Sequence, residues 1–233
     1  MDVNWFDTQF NPAYALVVEN IQTFLTSQWA DLAVQKTLAP GSLALNTPAT
    51  FTIPVQTGRV GATVARWFHG LATDHGAFET ELVDLAAFGL PVYDEPRHPR
   101  LQDYEHEHTK RWAASVAAAD AYVFVAPEYN YGPTPALLNA LNYVYKEWNY
   151  KPAAFVSYGG ISGGLRAVEA TKQTLTTLKM VPLVEAVVIP MVAQQLDENR
   201  EFRPGDIHVT SARVMLDELH RWAEALRPLR TAD

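Results

Sequence analysis

Short apolar runs alternate with longer amphipathic stretches from about residue 51 onward. The third run, A-Y-V-F-V-A, carries no charge, as expected of a strand that is buried on both faces. Alternation of this kind is typical of a parallel sheet covered by helices on both faces. The runs predict strands at Thr52 to Gln56, Thr80 to Leu85, Ala121 to Ala126, Ala153 to Tyr158 and Leu183 to Ile189. The stretches between and after them predict helices near 60–73, 100–119, 134–148, 162–179 and 208–227.

The number of strand-helix units predicts the fold and the position of its site. Five units in about 180 residues fit an α/β, flavodoxin-like three-layer sandwich with a five-stranded parallel sheet in the order 2-1-3-4-5. Ligands of such sheets bind outside the carboxyl ends of the strands, near the point where the strand order reverses. We therefore expect the chemistry in the loops after the first, third and fourth strands.

Residues 1–50 have no place in a five-stranded unit, so we assign the flavodoxin-like domain to residues 51–233 and treat the rest as an N-terminal extension. Asn11-Pro12 predicts the start of a helix that runs roughly from Ala13 to Gln35. The breaker stretch Ala39-Pro40-Gly41 follows it. The extension is expected to be partly helical and to pack on the domain or on a second subunit.

Composition narrows the classes of partner. The 233 residues are 48% hydrophobic and carry a net charge of -8, which fits an ordinary globular domain and argues against a nucleic-acid partner. The absence of cysteine excludes disulfides, thiolate metal sites and a cysteine nucleophile. No long apolar run occurs, and the first residues lack the basic segment of a signal peptide. We therefore expect a cytoplasmic protein without a membrane partner.

One glycine-rich stretch admits two interpretations. Residues 160–164 read G-I-S-G-G, which has the G-x-S-x-G spelling of a serine hydrolase elbow. Asp197 or Asp206, followed by His208 or His220, would complete the chain order of a catalytic triad, although no H-G-G-G oxyanion element precedes them. The same loop can instead bring backbone N–H groups close to an anionic or aromatic cofactor.

The loop after the third predicted strand favours the cofactor. From Pro127 it reads P-E-Y-N-Y-G-P-T-P-A-L-L-N-A-L, which resembles the isoalloxazine-contacting loop of the NADPH-dependent FMN reductase family. About 30 residues later, V-S-Y-G-G at 156–160 resembles the second glycine-rich flavin loop of that family, and the likeness extends over roughly residues 58–192. The resemblance implies FMN as cofactor and NADPH or NADH as electron donor. It also implies ping-pong hydride transfer through flavin N5 to a flavin, quinone or azo acceptor, in a homodimer or homotetramer.

The residue types suit a flavin, which is flat and apolar on its faces and forms hydrogen bonds along its edges. Glycines at 159, 160, 163 and 164 allow close backbone approach, and two tyrosines offer aromatic faces. Fixed N–H dipoles stabilise the reduced flavin, so no catalytic side chain and no metal is expected. By resemblance, Glu128 and Asn130 shape their loop. We interpret Ser162 as a loop hydroxyl or helix N-cap that can help to bind the flavin. The expected cofactor-binding residues are Thr57, Arg59, Pro127, Glu128, Tyr129, Asn130, Tyr131, Ser157, Tyr158, Gly159, Gly160, Ser162 and Gly163.

The first loop departs from the family pattern. The family's phosphate loop resembles G-S-T-R-x-G-R, whereas residues 53–59 here read I-P-V-Q-T-G-R. Gly58 and Arg59 match, but Pro54 has no N–H to donate and Val55 has no hydroxyl. Three interpretations stay open: weaker FMN binding, a flavodoxin-fold binding or dimerisation protein that has lost the flavin, and an altered N-terminal segment joined to an intact domain.

The histidines of R-H-P-R-L-Q-D-Y-E-H-E-H, residues 97–108, raise the possibility of a metal site. Residues two apart on a helix do not face each other, so His106 and His108 are not expected to share a ligand unless this stretch is extended. We interpret this stretch as the charged start of a helix.

Overall fold

The computed structural model describes residues 60–230, and two further strands, Ala33–Leu38 and Thr50–Phe51, through their backbone pairing. The strands are β1 (Ala33–Leu38), β2 (Thr50–Phe51), β3 (Glu79–Asp84), β4 (Tyr122–Pro127), β5 (Pro152–Tyr158) and β6 (Val181–Ile189). The helices are α1 (Val60–His75), α2 (Glu107–Ala117), α3 (Pro135–Tyr143), α4 (Leu165–Thr177) and α5 (Asp206–Arg230). Within these described ranges, no helix combines the length and the apolar character needed to cross a bilayer.

The strands form one sheet in the order β2-β3-β1-β4-β5-β6. Neighbours β4, β5 and β6 are parallel, and β2 is parallel to β3. Strand β1 is antiparallel to both β3 and β4, with Ala33 opposite Asp84 on one side and Val125 on the other. All the strands except β1 therefore run in the same direction.

The N-terminal part of the sheet differs from the predicted one. The order 2-1-3-4-5 is not confirmed, because β1 lies between β3 and β4, where the first parallel strand was expected. The predicted strand Thr52 to Gln56 lies outside the described residues. The helix predicted to end at Gln35 overlaps β1, so its last residues, 33–35, are strand instead. The reason is that the edges of β3 and β4 expose backbone N–H and C=O groups, which a strand of either direction can pair.

Two hydrophobic clusters lie on opposite faces of the sheet, because side chains alternate along each strand. Tyr122 and Phe124 belong to the cluster that also contains residues of α2, α3 and α4. Val123 and Val125 belong to the cluster that contains residues of α1 and α5. Every residue of β4 is buried, as its uncharged sequence predicts. The structure thus has the helix-sheet-helix layering expected of this fold class.

Two predicted helices are shorter than their apolar spacing suggests. Helix α2 begins at Glu107 rather than near residue 100, because Glu95 accepts hydrogen bonds from the backbone N–H groups of Glu105 and His106, at 2.8 and 3.0 Å. These bonds hold the preceding segment outside the helix. Helix α3 ends at Tyr143, where the next residue adopts an extended conformation.

Candidate active site

Two of the predicted loops begin side by side at the carboxyl edge of the sheet. Strand β4 is paired with β5 along its whole length, and the last residues of the two strands, Pro127 and Tyr158, are partners in the register. The loop of residues 128–134 and the glycine loop of residues 159–164 therefore leave neighbouring parallel strands at the same level. This is the edge where α/β sheets of this kind bind their ligands.

The first loop contains a tight turn. Gly132 N–H donates to the carbonyl of Tyr129 at 2.9 Å, and Tyr129 N–H donates to the carbonyl of Gly132 at 3.0 Å. The two residues between them, Asn130 and Tyr131, have positive φ values of 49° and 68°. Positive φ at both central positions is the mark of a type I′ turn, in which the second position is usually glycine. Tyr131 therefore holds a conformation that its side chain disfavours, and the residue is 69% exposed.

Glu128 joins the two loops. Its side chain is only 6% exposed. One carboxylate oxygen accepts hydrogen bonds from Ser162 Oγ and from the backbone N–H of Arg166, both at 3.0 Å. The other oxygen accepts from Arg166 Nε at 2.6 Å. A carboxylate from the β4 loop thus lies at the N-terminal end of α4, where backbone N–H groups and the helix dipole favour negative charge.

These contacts keep Glu128 ionised. Hydrogen bonding from Arg166 lowers the pKa of this carboxyl below its ordinary value, the Ser162 hydroxyl adds to the effect, and burial opposes it. An ionised carboxylate with this many donors is a structural anchor and a poor proton donor at neutral pH. These contacts fit the expectation that Glu128 shapes its loop, which stays a prediction.

Arg166 is a site residue that the sequence reasoning missed. Its guanidinium lies 3.6 Å from the centre of the Tyr131 ring and also donates to Ser162 Oγ at 3.1 Å. Its side chain is 44% exposed, so it forms part of the surface of the site. Only a weak indication of this role is present in the sequence. Arg166 is a lone arginine four residues after the loop serine, on a helix whose first turn contains no acidic residue.

The four glycines of the second loop serve different purposes. A Cβ on Gly163 would lie 2.5 Å from Val188 Cγ1, and one on Gly164 would lie 2.9 Å from Ser157 Cβ. Both also have positive φ, so packing against the ends of β5 and β6 already favours glycine at these two positions, and cofactor contact at Gly163 stays a prediction. A Cβ on Gly160 would meet nothing within 4 Å, so close approach of a ligand stays a prediction there.

Backbone hydrogen bonds hold the glycine loop in place. Gly159 N–H donates to the carbonyl of Ile189 and Gly163 N–H donates to that of Gly160, both at 3.2 Å. The carbonyl of Gly160 also accepts from Met191 N–H at 2.8 Å. The N–H groups of Gly159 and Gly163 are therefore engaged within the protein, which narrows the set of amides that can face a cofactor.

The two predicted site serines have different environments. Ser162 contacts Glu128 and Arg166, and no histidine is bonded to it among residues 60–230. His208 instead accepts a hydrogen bond from Gly205 N–H at 3.0 Å, so the hydrolase interpretation has no support. Ser162 is also not the N-cap, because Gly164 occupies that position without a side-chain bond. Ser157 is fully buried, and its hydroxyl has no partner within the described part of the chain.

The surface of the two loops fits a flat, apolar ligand. Tyr131 and Ile161, at the tips of the loops, are 69% and 88% exposed, although both are large apolar residues. Gly160 leaves open space beside Ile161. Helix α1 begins at Val60 without an acidic residue in its first turn, which suits a phosphate at that end. Thr57 and Arg59, the predicted phosphate ligands, lie outside the described residues.

The histidine pair near α2 meets the exception to the helical prediction, because the chain is extended at His106. His106 precedes the helix in an extended conformation, so its ring stacks on that of His108, with centroids 5.2 Å apart. His108 Nε2 lies 3.1 Å from a carboxylate oxygen of Asp94, and His106 Nε2 lies 3.3 Å from the Asp94 carbonyl. The two histidines thus do share a partner. Among the described residues no group of three or more His, Asp or Glu side chains is arranged to hold a metal ion.

The fold and the paired loops define the class of flavodoxin-like α/β proteins. The chain belongs to the NADPH-dependent FMN reductase family, whose pattern it matches over residues 55–194. It is 39% identical over 157 residues to the NAD(P)H-dependent FMN reductase C4B3.06c of Schizosaccharomyces pombe, a match that covers 65% of this chain and 78% of that protein. It is 35% identical over 145 residues to the NAD(P)H-dependent FMN reductase ntnL of Nectria sp, covering 60% of this chain and 72% of the relative.

A solved structure supports the fold. FerB, a flavoenzyme NAD(P)H:(acceptor) oxidoreductase from Paracoccus denitrificans, superposes with a TM-score of 0.61 at 19% identity, over 78% of this chain and 98% of FerB. The family match also confirms the class that the two loop motifs predict, an oxidoreductase that uses FMN and NAD(P)H.

Proposed function

We propose that the chain oxidises NAD(P)H through FMN bound across the loops at 128–134 and 159–164, and passes the electrons to a small acceptor such as a flavin, a quinone or an azo compound. The observation that carries the proposal is the Glu128 link, which holds the two flavin-motif loops together at the carboxyl edge of the sheet. The family match supports the same cofactor and donor.

In this proposal the chain's own residues bind and orient the flavin and the reactants, and they do not transfer protons. FMN supplies the hydride chemistry when it is bound. The exposed apolar tips, Tyr131 and Ile161, offer surface for planar rings, and Gly160 leaves room for close approach. Because Glu128 is ionised and fully engaged, it provides charge and rigidity and not acid catalysis. Thr57 and Arg59, before α1, are proposed to hold the phosphate.

The open surface of the loops favours a ping-pong sequence. Residues at both loop tips are exposed, so donor and acceptor can use the same face one after the other. Specificity for the acceptor is expected to be broad, because few polar groups are placed to select it. A homodimer or homotetramer and a cytoplasmic location stay predictions from the family resemblance.

A flavodoxin-fold binding or dimerisation protein is the second candidate, favoured by Pro54 and Val55 in the phosphate loop. An absorbance spectrum of the purified protein, before and after FMN is added and the sample is desalted, separates the two. Retained flavin bands, bleached by NADPH and restored by a quinone, are expected of the reductase. A spectrum without flavin after excess FMN would support the binding protein.

A matched pair of variants tests the position of the flavin. Gly160→Ala adds a methyl where the structure leaves open space, so stability should stay within about 0.5 kcal/mol of wild type. If the flavin lies against this loop, the methyl overpacks the complex by about 1 to 3 kcal/mol, which is about 5- to 150-fold in Kd. Gly70→Ala, in the exposed part of α1, is the control and should leave FMN affinity unchanged. Equal affinities for both variants would place the flavin elsewhere.

A further inference from the structure

One guanidinium contacts three parts of the candidate site. Arg166, in the first turn of α4, is ion-paired with Glu128 of the β4 loop and donates to Ser162 of the glycine loop. Its guanidinium also stacks on the ring of Tyr131 at 3.6 Å. The three contacted residues lie in two different loops, so this side chain connects both loops to one helix.

The stacked tyrosine is in a backbone conformation that it does not favour by itself. Tyr131 is the second central residue of the turn, with φ of 68°, a position where glycine is the usual residue. The residue as a whole is mostly exposed, so core packing does not hold it there. Arg166 is the described neighbour that covers the ring, through a cation-π contact well inside the usual 6 Å limit.

The chemistry of the contacts requires arginine. The planar guanidinium can stack flat on an aromatic ring while its edge donates to a carboxylate, which a lysine ammonium cannot do. Ion pairs between exposed side chains contribute little to stability. The pair of Arg166 and Glu128 differs from these, because the Glu128 side chain is only 6% exposed. These features indicate a contact that matters for the shape of the loop.

We propose that Arg166 is a positioning residue that holds the turn at 129–132 in its flavin-binding shape before the cofactor arrives, and thereby sets the affinity for FMN. The inference rests on the proposed function, because it concerns the same flavin site. A preformed loop loses less conformational freedom on binding, so its affinity is higher than that of a loop that must be ordered.

The test is titration of the FMN-free full-length protein with FMN, followed by flavin fluorescence. Arg166→Met keeps the aliphatic stem and removes the guanidinium, and we expect at least a tenfold rise in Kd. Arg166→Lys should restore part of the affinity, because the charge returns without the stacking. Arg221→Met, which removes an exposed arginine paired with Glu218 on α5, is the control and should change Kd less than twofold.

Repeating the test in a Tyr131→Gly variant distinguishes a role of Arg166 in positioning the turn from a general loss of protein stability. Tyr131→Gly permits the positive φ without help, so the effect of Arg166→Met on Kd should shrink at least threefold in that background. An unchanged Kd in Arg166→Met, or an effect of equal size in both backgrounds, would overturn the inference while leaving the FMN reductase proposal intact. A wild-type protein that binds no FMN would overturn both.

Discussion

Gly164 at the start of α4 offers the sharpest test of how the glycine loop is built. Its φ is 89°, and an added Cβ would lie 2.9 Å from Ser157 Cβ and 3.1 Å from both the N and the O of Tyr158. These last two are backbone atoms at the end of buried β5, so they cannot move without shifting the strand. Gly164→Ala therefore combines a strained backbone with a steric clash.

The two contributions set the expected size. A left-handed conformation in a residue with a Cβ costs about 1 to 2 kcal/mol, and overpacking a well-packed position costs about 1 to 3 kcal/mol. We expect Gly164→Ala to lower the free energy of unfolding by about 2 to 5 kcal/mol in total. Gly70→Ala makes the same chemical change inside α1, where a Cβ meets nothing within 4 Å, and should raise stability by about 0.5 to 1 kcal/mol.

Urea unfolding of the FMN-free protein, followed by far-ultraviolet circular dichroism, measures both variants. Without the cofactor, any loss of stability in Gly164→Ala comes from protein packing alone. If Gly164→Ala unfolds within about 0.5 kcal/mol of wild type, the packing explanation for this glycine is wrong. Its purpose would then be to admit a ligand, as the sequence suggests.

Three further predictions concern pH and the phosphate loop. Burial lowers the pKa of His208 in the folded state below its ordinary value of 6.5. The unfolded chain therefore binds more protons, and the free energy of unfolding should fall as the pH decreases from about 7 to 5. In His208→Asn, the midpoint of urea unfolding should depend less on pH. The ion pair lowers the pKa of Glu128 below its ordinary value of 4.5, so its stabilisation of about 1 to 2 kcal/mol is fully present above pH 4.5 and is lost as the pH falls through the lowered pKa. Glu128→Gln should lower the free energy of unfolding at pH 7, and this difference should shrink as the pH falls below 4.5. A difference that is larger in acid than at pH 7 would contradict the ion-pair explanation. The combined changes Pro54→Ser, Val55→Thr and Gln56→Arg rebuild the family's phosphate loop and should tighten FMN binding in a fluorescence titration, whereas unchanged affinity would show that these positions do not limit it.

Much of the site was predictable because its motifs are continuous in the chain. The sequence places Glu128 and Ser162 at the ends of two apolar runs, and parallel strands bring such ends to one edge. Arg166 was not predictable in the same way. Its contact with Glu128 spans 38 positions, and it depends on how the start of α4 is oriented relative to the β4 loop.

The histidine pair is a second example of a contact that the sequence alone does not predict. The spacing of His106 and His108 excludes a shared partner only if both lie on a helix. The carboxylate of Glu95 accepts the backbone N–H of His106 and delays the start of α2, so the two rings stack and meet at Asp94. The helical spacing rule is correct, but it does not apply here, because the hydrogen bond from Glu95 keeps His106 outside the helix.

The sequence by itself determined the class of this protein. Apolar periodicity located β3 to β6 and the helices between them, and two glycine- and tyrosine-containing motifs predicted the flavin site and the family. Periodicity and motifs are local properties, which the order of residues carries directly. The tertiary structure alone decided that β1 lies antiparallel between β3 and β4, that Gly163 and Gly164 have no room for a Cβ, and that Arg166 connects both loops. Each of these depends on contacts between segments far apart in the chain, and such contacts exist only once the sheet and its helices have packed together.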